Sequence, residues 1–342
     1  MSTAKDKFLS ASRIKTLETC SWVYWCKYHL HLPDKSNSGA LRGTVCHSVF
    51  EFLLKKRHKK HYDAILERNS IEGSEAVVRY VHHYLQKCNI ENFGNETYQE
   101  NYDLIDDMIV VGLKTDFFGD ESEIYSDPYI EKPEQEFEIT NRKPKYKIRG
   151  FIDKPIQYKD KKIIRIVDYK SSKYKFRGEE LSSNVQAMMY SLAALKIWPK
   201  LKPVVEFLFL RFPKQPTQQL EFSKEQLKGF EYYLEQVFNA INNFSEKDSV
   251  SNFAFDGGFK TKWMCGPTKK TGWECPLKHP YEYYVLKNNR GKVIKSSLED
   301  DLVIEKKGQK IEKLQYEGCP KFNPSQKVGG LNHQDQNDPF DW

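Results

Sequence analysis

The stretch Lys161-Lys-Ile-Ile-Arg-Ile-Val-Asp168-Tyr169-Lys170 decides how this chain is read. On a β-strand alternate side chains share a face, so Ile164, Ile166, Asp168 and Lys170 point the same way. An apolar face that ends in a carboxylate and an ammonium is costly to bury unless those charges are paired or used. Upstream, Arg149-Gly150-Phe151-Ile152-Asp153 ends a second strand-like run in another carboxylate. If the two runs pair as a hairpin across the turn-like residues Tyr158–Lys161, Asp153 and Asp168 converge at one strand edge. Two carboxylates there suit a hard divalent cation such as Mg²⁺. The Lys170 ammonium beside them can orient a water or stabilise developing charge. A salt-bridged strand end fits the same residues, because D-x-K arises readily in a chain that is 30% charged.

Working outward, Gln135–Thr140, Tyr146–Ile152 and Lys162–Tyr169 read as strands, and Val204–Phe212 as a buried strand with a near-continuous apolar run. Leu181–Ile197 and Ser223–Phe244 have helical spacing. Before the strands the pattern is helical. One helix runs from a cap at Ser10 or Ser12 to about Tyr28. A second starts near Gly39 or Ala40 and dissolves into the basic run Lys55–Lys60, a solvated helix end. Two more cover 74–90 and 97–118. Helices, three strands, helix, strand, helix is the order of an α/β core with a mixed central sheet preceded by a helical region. The boundaries fall at 1–130 for the helical part and 131–248 for the core.

The 342 residues amount to about two domains' worth of chain. Lys+Arg 54 against Asp+Glu 47 leaves a net charge of +7, which permits a nucleic-acid partner. Aromatics at 14% exclude a disordered chain. No run of about 18 apolar residues occurs, which excludes a transmembrane helix and a membrane role. MSTAKDKFLSASRIK carries no apolar signal segment, so a cytoplasmic location is expected, in a host cytoplasm if the source is viral. The abundance of Lys, Asn, Tyr and Ile fits an AT-rich genome, as many viruses have.

Seven cysteines without a signal segment do not read as a disulfide framework. Cys26, Cys46 and Cys88 read as core or helix-face residues. Beyond Asp248, a turn at Asn288–Gly291 joins Tyr281–Leu286 to Lys292–Lys295, and Gly308 centres a second hairpin between Leu302–Glu305 and Lys310–Leu314. Flanked by cysteines, residues 249–322 read as a small metal-stapled β module. Residues 323–342 are polar and Gly-rich and are expected to form a flexible tail, ending in Asn337-Asp338-Pro339-Phe340-Asp341-Trp342.

Taken in order, five motifs resemble those of the PD-(D/E)XK (restriction-endonuclease-like) nuclease superfamily. They are Leu17-Glu-Thr-Cys20-Ser-Trp-Val-Tyr24, Gly43-Thr-Val-Cys-His47, Gly150-Phe-Ile-Asp153, Val167-Asp168-Tyr169-Lys170 and Gln186-x-x-x-Tyr190. Within that superfamily they are most similar to the RecB-like branch of helicase-associated nuclease domains and CRISPR-associated iron–sulfur exonucleases. The resemblance implies metal ligation by His47, Asp153, Asp168 and the Tyr169 carbonyl, with Mg²⁺ or Mn²⁺ as the ion. It implies Lys170 as the catalytic lysine, with Gln186 and Tyr190, at i and i+4 on one helix face, beside the metal.

The same resemblance implies a four-thiolate site of Cys20, Cys265, Cys275 and Cys319, with His279 an alternative to Cys319. Its occupant would be a [4Fe–4S] cluster or a structural Zn²⁺. The expected function is a metal-dependent DNA nuclease, an exonuclease before an endonuclease, in recombination, repair or replication. The alternatives are a non-catalytic DNA-binding scaffold and a nuclease subunit that needs a separate helicase or recombinase. No G-x-x-x-x-G-K-[ST] motif occurs, so a motor would have to be supplied by a partner. The acidic-aromatic tail resembles the tips of single-stranded-DNA-binding proteins, which dock into apolar pockets rimmed by basic residues.

Overall fold

The computed structural model describes residues 8–34, 38–87, 96–119, 134–158, 161–250, 265–267 and 274–322. The helical region holds α1 (Ala11–Thr19), α2 (Ser21–Tyr28), α3 (Ser38–Leu53), α4 (Lys59–Arg68), α5 (Glu75–Lys87) and α6 (Tyr98–Lys114). Strands β1 (Gln135–Arg142), β2 (Lys145–Ile152), β3 (Lys154–Tyr158) and β4 (Ile163–Lys170) follow. Next come α7 (Glu179–Ser182), α8 (Val185–Ile197), β5 (Lys202–Phe209), β6 (Thr217–Leu220), α9 (Lys224–Asn243) and α10 (Glu246–Ser249). Strands β7 (Tyr281–Lys287), β8 (Val293–Ser297) and β9 (Lys310–Tyr316) complete the order. Cys88 and the tail, residues 323–342, lie outside the described residues.

The chain divides into two compact units, residues 36–238 and residues 1–35 with 239–342. In the first, β3, β4, β5 and β6 form one sheet in that order. The β4–β5 pair is parallel and the other pairs are antiparallel, so the sheet is mixed. Parallel neighbours need a crossover, and α8 supplies it. On one face Val167, Tyr169, Ile156, Leu208 and Leu210 join Val45, Val49, Phe50, Ile105, Met108 and Ile109 in a single core. That face packs on α3 and α6 because both helices carry apolar residues at three- and four-residue spacing. Asp168 therefore belongs to the opposite face, as the alternation along β4 requires.

Several boundaries differ from the sequence reading, each for a local reason. The first helix breaks at Cys20, whose extended backbone (φ −163°, ψ 121°) separates α1 from α2. The basic run passes through a short 3₁₀ turn at Lys56–His58 into α4. The expected helix 181–197 is two pieces, because the Asn184 side chain accepts from Ala187 N and starts α8 afresh. The strand paired with β4 is not β2 but the five-residue β3, while β2 pairs with β1 in a separate two-stranded sheet. Asp153 stands between β2 and β3.

In the second unit β7 is the central strand of an antiparallel sheet ordered β8–β7–β9. The first expected hairpin is present as β7–β8. The second is not: Leu302–Glu305 is irregular, and β9 pairs with β7 instead. Trp22, Cys26, Leu32, Tyr283, Val285 and Tyr316 form this unit's core. Trp22 Nε1 donates to Tyr316 Oη at 2.7 Å, and that hydroxyl donates to the Leu277 carbonyl at 2.8 Å.

Gly112 on α6 marks a tight crossing in the first core. A Cβ there would stand 2.3 Å from Phe50 Cζ and 3.2 Å from Leu210 Cδ2. Alanine is favoured over glycine within a helix by about 1 kcal/mol. Overpacking a close-packed core costs about 1–3 kcal/mol, and here the steric cost prevails. Gly112→Ala is expected to lower the urea midpoint without changing the m-value; an equal or higher midpoint would contradict this packing.

Candidate active site

The site is built around the C-terminal end of β4. Asp168 is 3% exposed, and its partners come from α8. Tyr190 Oη donates to Asp168 Oδ1 at 2.8 Å, and Gln186 Nε2 donates to the same oxygen at 2.7 Å. Gln186 Nε2 also lies 2.8 Å from Tyr190 Oη, and Gln186 Oε1 accepts from Lys170 Nζ at 2.8 Å. The four-residue spacing that places Gln186 and Tyr190 one turn apart lets both reach one carboxylate. Lys170 Nζ sits 2.6 Å from Asp168 Oδ2. Lys170 is the charge partner of this buried oxygen, on which no donor is squarely aligned.

His47 and Asp153 reach the same strand end by a different route. Asp153 Oδ2 accepts from Tyr169 N at 3.0 Å, which holds the carboxylate against β4. His47, on α3, places Nδ1 3.4 Å from Asp153 Oδ2 and Nε2 3.1 Å from the Tyr169 carbonyl. Gly43, one turn earlier, permits this approach. A Cβ there would lie 2.8 Å from Ser171 Oγ, just beyond Lys170. Thus His47, Asp153, Asp168, Tyr169, Lys170, Gln186 and Tyr190 are brought together in one cluster.

Electrostatics follow from burial and from the carboxylate pair. Burial raises the Asp168 pKa, and the Asp153 charge adds to the rise against the lowering effect of Lys170. For His47, burial alone would lower the pKa. The Asp153 carboxylate, helped by Asp168 and the Tyr169 carbonyl, outweighs it and holds the imidazole above its ordinary value. Glu134, just before β1, was not singled out from sequence. Its pKa is raised by burial and by the charges of Asp153 and Glu51, which places a third carboxylate in the field of the site. Its position outside any periodic element left no signal in the sequence.

The donor set is that of a hard cation: carboxylate oxygens, a backbone carbonyl and an imidazole. The buried Asp168 Oδ2, with no donor squarely aligned on it, fits such an ion. As they stand, the groups satisfy one another, His47 against Asp153 and Lys170 against Asp168. Among the described residues no set of three or more His, Cys, Asp or Glu is arranged to hold a metal ion directly.

The same holds for the cysteines, although the fold gathers them. Cys20, Cys265, Cys275 and Cys319 line one small cavity with Trp22, Val23, Leu277 and Phe322. Backbone N–H groups of Leu277 and Lys321 face the Cys275 and Cys319 sulfurs. Burial raises the Cys275 thiol to about 11 and the Cys319 thiol to about 12. His279 is not among the cavity's residues; its Nε2 pairs with Glu274 Oε2 at 3.1 Å. Cys26 and Cys46 are fully buried, as core cysteines should be.

The Gln186–Tyr190–Asp168 triangle makes the two helix residues interdependent, since each touches the other and one shared oxygen. Residues in one hydrogen-bond network couple by about 0.5–3 kcal/mol. A stability cycle of Gln186→Ala, Tyr190→Phe and the double variant is therefore expected to be non-additive within that range. Strict additivity in denaturant unfolding would dissolve the triangle.

The family profile of the PD-(D/E)XK nuclease superfamily matches residues 8–265, well over half of the chain. No curated protein matches it in sequence. The match runs from just before α1, through the Asp153, Asp168 and Lys170 motifs, to Cys265. The mixed central sheet flanked by helices is consistent with that match. By sequence and by fold, this chain belongs to the PD-(D/E)XK nuclease superfamily.

Proposed function

We propose that the chain is a Mg²⁺- or Mn²⁺-dependent deoxyribonuclease, acting as an exonuclease in DNA recombination, repair or replication. The observation that carries this reading is the buried end of β4, where Asp168 and Lys170 lie beside Asp153 and His47. Phosphodiester hydrolysis is among the slowest uncatalysed reactions, so the site must remove on the order of 20 kcal/mol of barrier. A divalent ion bound by His47, Asp153, Asp168 and the Tyr169 carbonyl would polarise the phosphoryl oxygen and lower the pKa of a water. Lys170 places a positive charge where negative charge develops. Gln186 orients that ammonium through its 2.8 Å hydrogen bond. Tyr190 fixes Asp168 from the other side. The net charge of +7 favours encounter with a polyanion.

Cys20, Cys265, Cys275 and Cys319 hold a [4Fe–4S] cluster in this reading, with Zn²⁺ the second choice, and so staple the module of residues 249–322. Support comes from the four thiols lining one cavity and from the soft, all-sulfur donor set. The acidic-aromatic segment Asp338–Trp342 serves as a docking peptide for a helicase, recombinase or single-strand-binding partner.

Two measurements test this. Asp168→Asn and Lys170→Ala should each reduce divalent-dependent cleavage of end-labelled DNA by at least ~10²–10³, the usual cost of losing a preorganised charge, while binding stays within a few-fold. Turnover near that of the unaltered protein in either variant would remove the assignment. For the thiolate site, elemental analysis of anaerobically purified protein should find iron with a broad visible band, or zinc without one. Both should be lost in Cys275→Ala, together with a lower melting temperature. Protein containing neither element would end the staple in both forms.

A further inference from the structure

Ser171-Ser-Lys-Tyr174-Lys-Phe-Arg-Gly178 leaves β4 directly after Lys170 and contains three cations and no carboxylate. Four of its residues are tied down by their side chains or by paired backbone bonds. Ser171 Oγ donates to the Gly39 carbonyl at 3.3 Å, and Ser172 Oγ to the Tyr174 carbonyl at 2.7 Å. Lys175 Nζ donates to the Gln215 carbonyl and lies 5.2 Å from the Phe212 ring centre. Phe176 is held at both backbone groups by the Gln218 amide, at 3.1 and 3.2 Å. Its ring meets Phe207 and Phe209 edge-on at 4.8 and 5.3 Å. Lys173 stays 60% exposed, 3.8 Å from Glu96.

Tyr174 is the aromatic residue this loop leaves exposed. Its backbone is fixed by Ser172, yet the residue is 74% exposed, the highest value among the large exposed apolar side chains described. A single exposed aromatic is ordinary on a protein surface. One presented by a pinned loop, four residues from the catalytic lysine and between two lysines, is a different case. The backbone that carries the ring is held before any ligand arrives, so less loop entropy is lost when a flat partner is met, while the ring itself stays open to solvent.

We propose that Tyr174 is a base-stacking residue for a single-stranded nucleic acid, whose phosphates run past Lys173 and Arg177 toward Lys170. The inference rests on the nuclease reading above and names the form of its substrate. Inside a duplex the base faces are stacked on one another and only the two end pairs show an outward face; every base of an unpaired strand can offer one to the ring. Stacking is sequence-tolerant, because every base has a π-face. The site is therefore suited to a frayed or unwound end.

The test uses full-length protein, a short fluorescein-labelled single strand and the same sequence as a blunt duplex, with binding read by anisotropy in EDTA. A strand carrying 2-aminopurine reports stacking by fluorescence quenching. Tyr174→Ala is expected to weaken single-strand binding about 5- to 150-fold, the equivalent of the ~1–3 kcal/mol of one base–aromatic stack, and to abolish the quenching. Duplex binding should change less than twofold. Tyr174→Phe should restore both signals, and Tyr232→Ala, which removes another exposed tyrosine on α9, should change neither.

If Tyr174→Ala binds the single strand as tightly as the unaltered protein, while that protein still cleaves DNA, this inference fails and the nuclease reading stands. Equal losses on single strand and duplex would also overturn it, as the mark of a disturbed loop. Unaltered protein that neither binds nor cleaves either DNA would overturn both.

Discussion

A carboxylate removed from water at the end of a central strand has to be answered by its surroundings, and much of the first unit can be understood as the answer to Asp168. Burial of an ionised carboxylate without partners costs several kcal/mol or drives protonation. Here α8 turns Gln186 and Tyr190 onto one oxygen, and Lys170, two residues along the same strand face, stands against the other. The Asn184 cap that restarts the helix after α7 sets the phase of α8, and so decides that Gln186 and Tyr190 face the strand. The parallel crossover through α8 thus positions the two polar side chains as well as joining β4 to β5.

The opposite face of β4 also carries charge, but to a different end. Arg165 pairs with Asp116 and lies 4.0 Å from Glu206 on β5, while Gln219 on β6 donates to Glu206 at 2.7 Å. Nearby, Lys154 is 2% exposed and donates to the Phe117 carbonyl at 2.9 Å. Burial, reinforced by Arg165, lowers its pKa to about 7. Buried ion pairs are weak evidence for stability, because desolvation offsets their attraction. Removing one member does more harm, since it strands the others. This network links β3, β4, β5, β6 and the turn after α6. Its members have few alternative partners in an otherwise apolar core, which opposes slippage of the strands.

How much of this could be read in advance depended on whether the signal was local. The alternation along β4, the i, i+4 pair on α8 and the Thr97–Glu100 capping box of α6 are each written within a few residues. Asp153, Asp168 and Lys170 were accordingly legible from the strands themselves, whereas His47, Gln186 and Tyr190 joined them only through the resemblance of the five motifs to the nuclease superfamily. What could not be read was decided at longer range. β3 is five residues long and contains Pro155, which offers no amide hydrogen, so its strand character comes from pairing with β4 rather than from composition. Pairing of β9 with β7 rather than with Leu302–Glu305 rests on packing of Tyr316 beneath Trp22. Glu134 enters the field of the site from a position outside regular structure, where no periodicity could mark it.

The second unit raises a question of entropy, because its halves are separated by residues 36–238. Closing a loop costs free energy that grows only with the logarithm of its length, so each doubling adds about 0.6 kcal/mol. An insertion of a whole nuclease core between two halves is therefore affordable, provided the halves recognise each other specifically. Apolar contact alone would give little specificity of register. The Trp22–Tyr316–Leu277 chain of hydrogen bonds supplies it: its polar atoms are buried, and a shifted β9 would leave a donor or an acceptor unsatisfied at about 1–3 kcal/mol each. Cys20 sits two residues before Trp22, and Cys319 three residues after Tyr316. The hydrogen bonds that fix the register of β9 therefore also bring those two thiols to one cavity, so that the gathering of the cysteines is a consequence of protein packing.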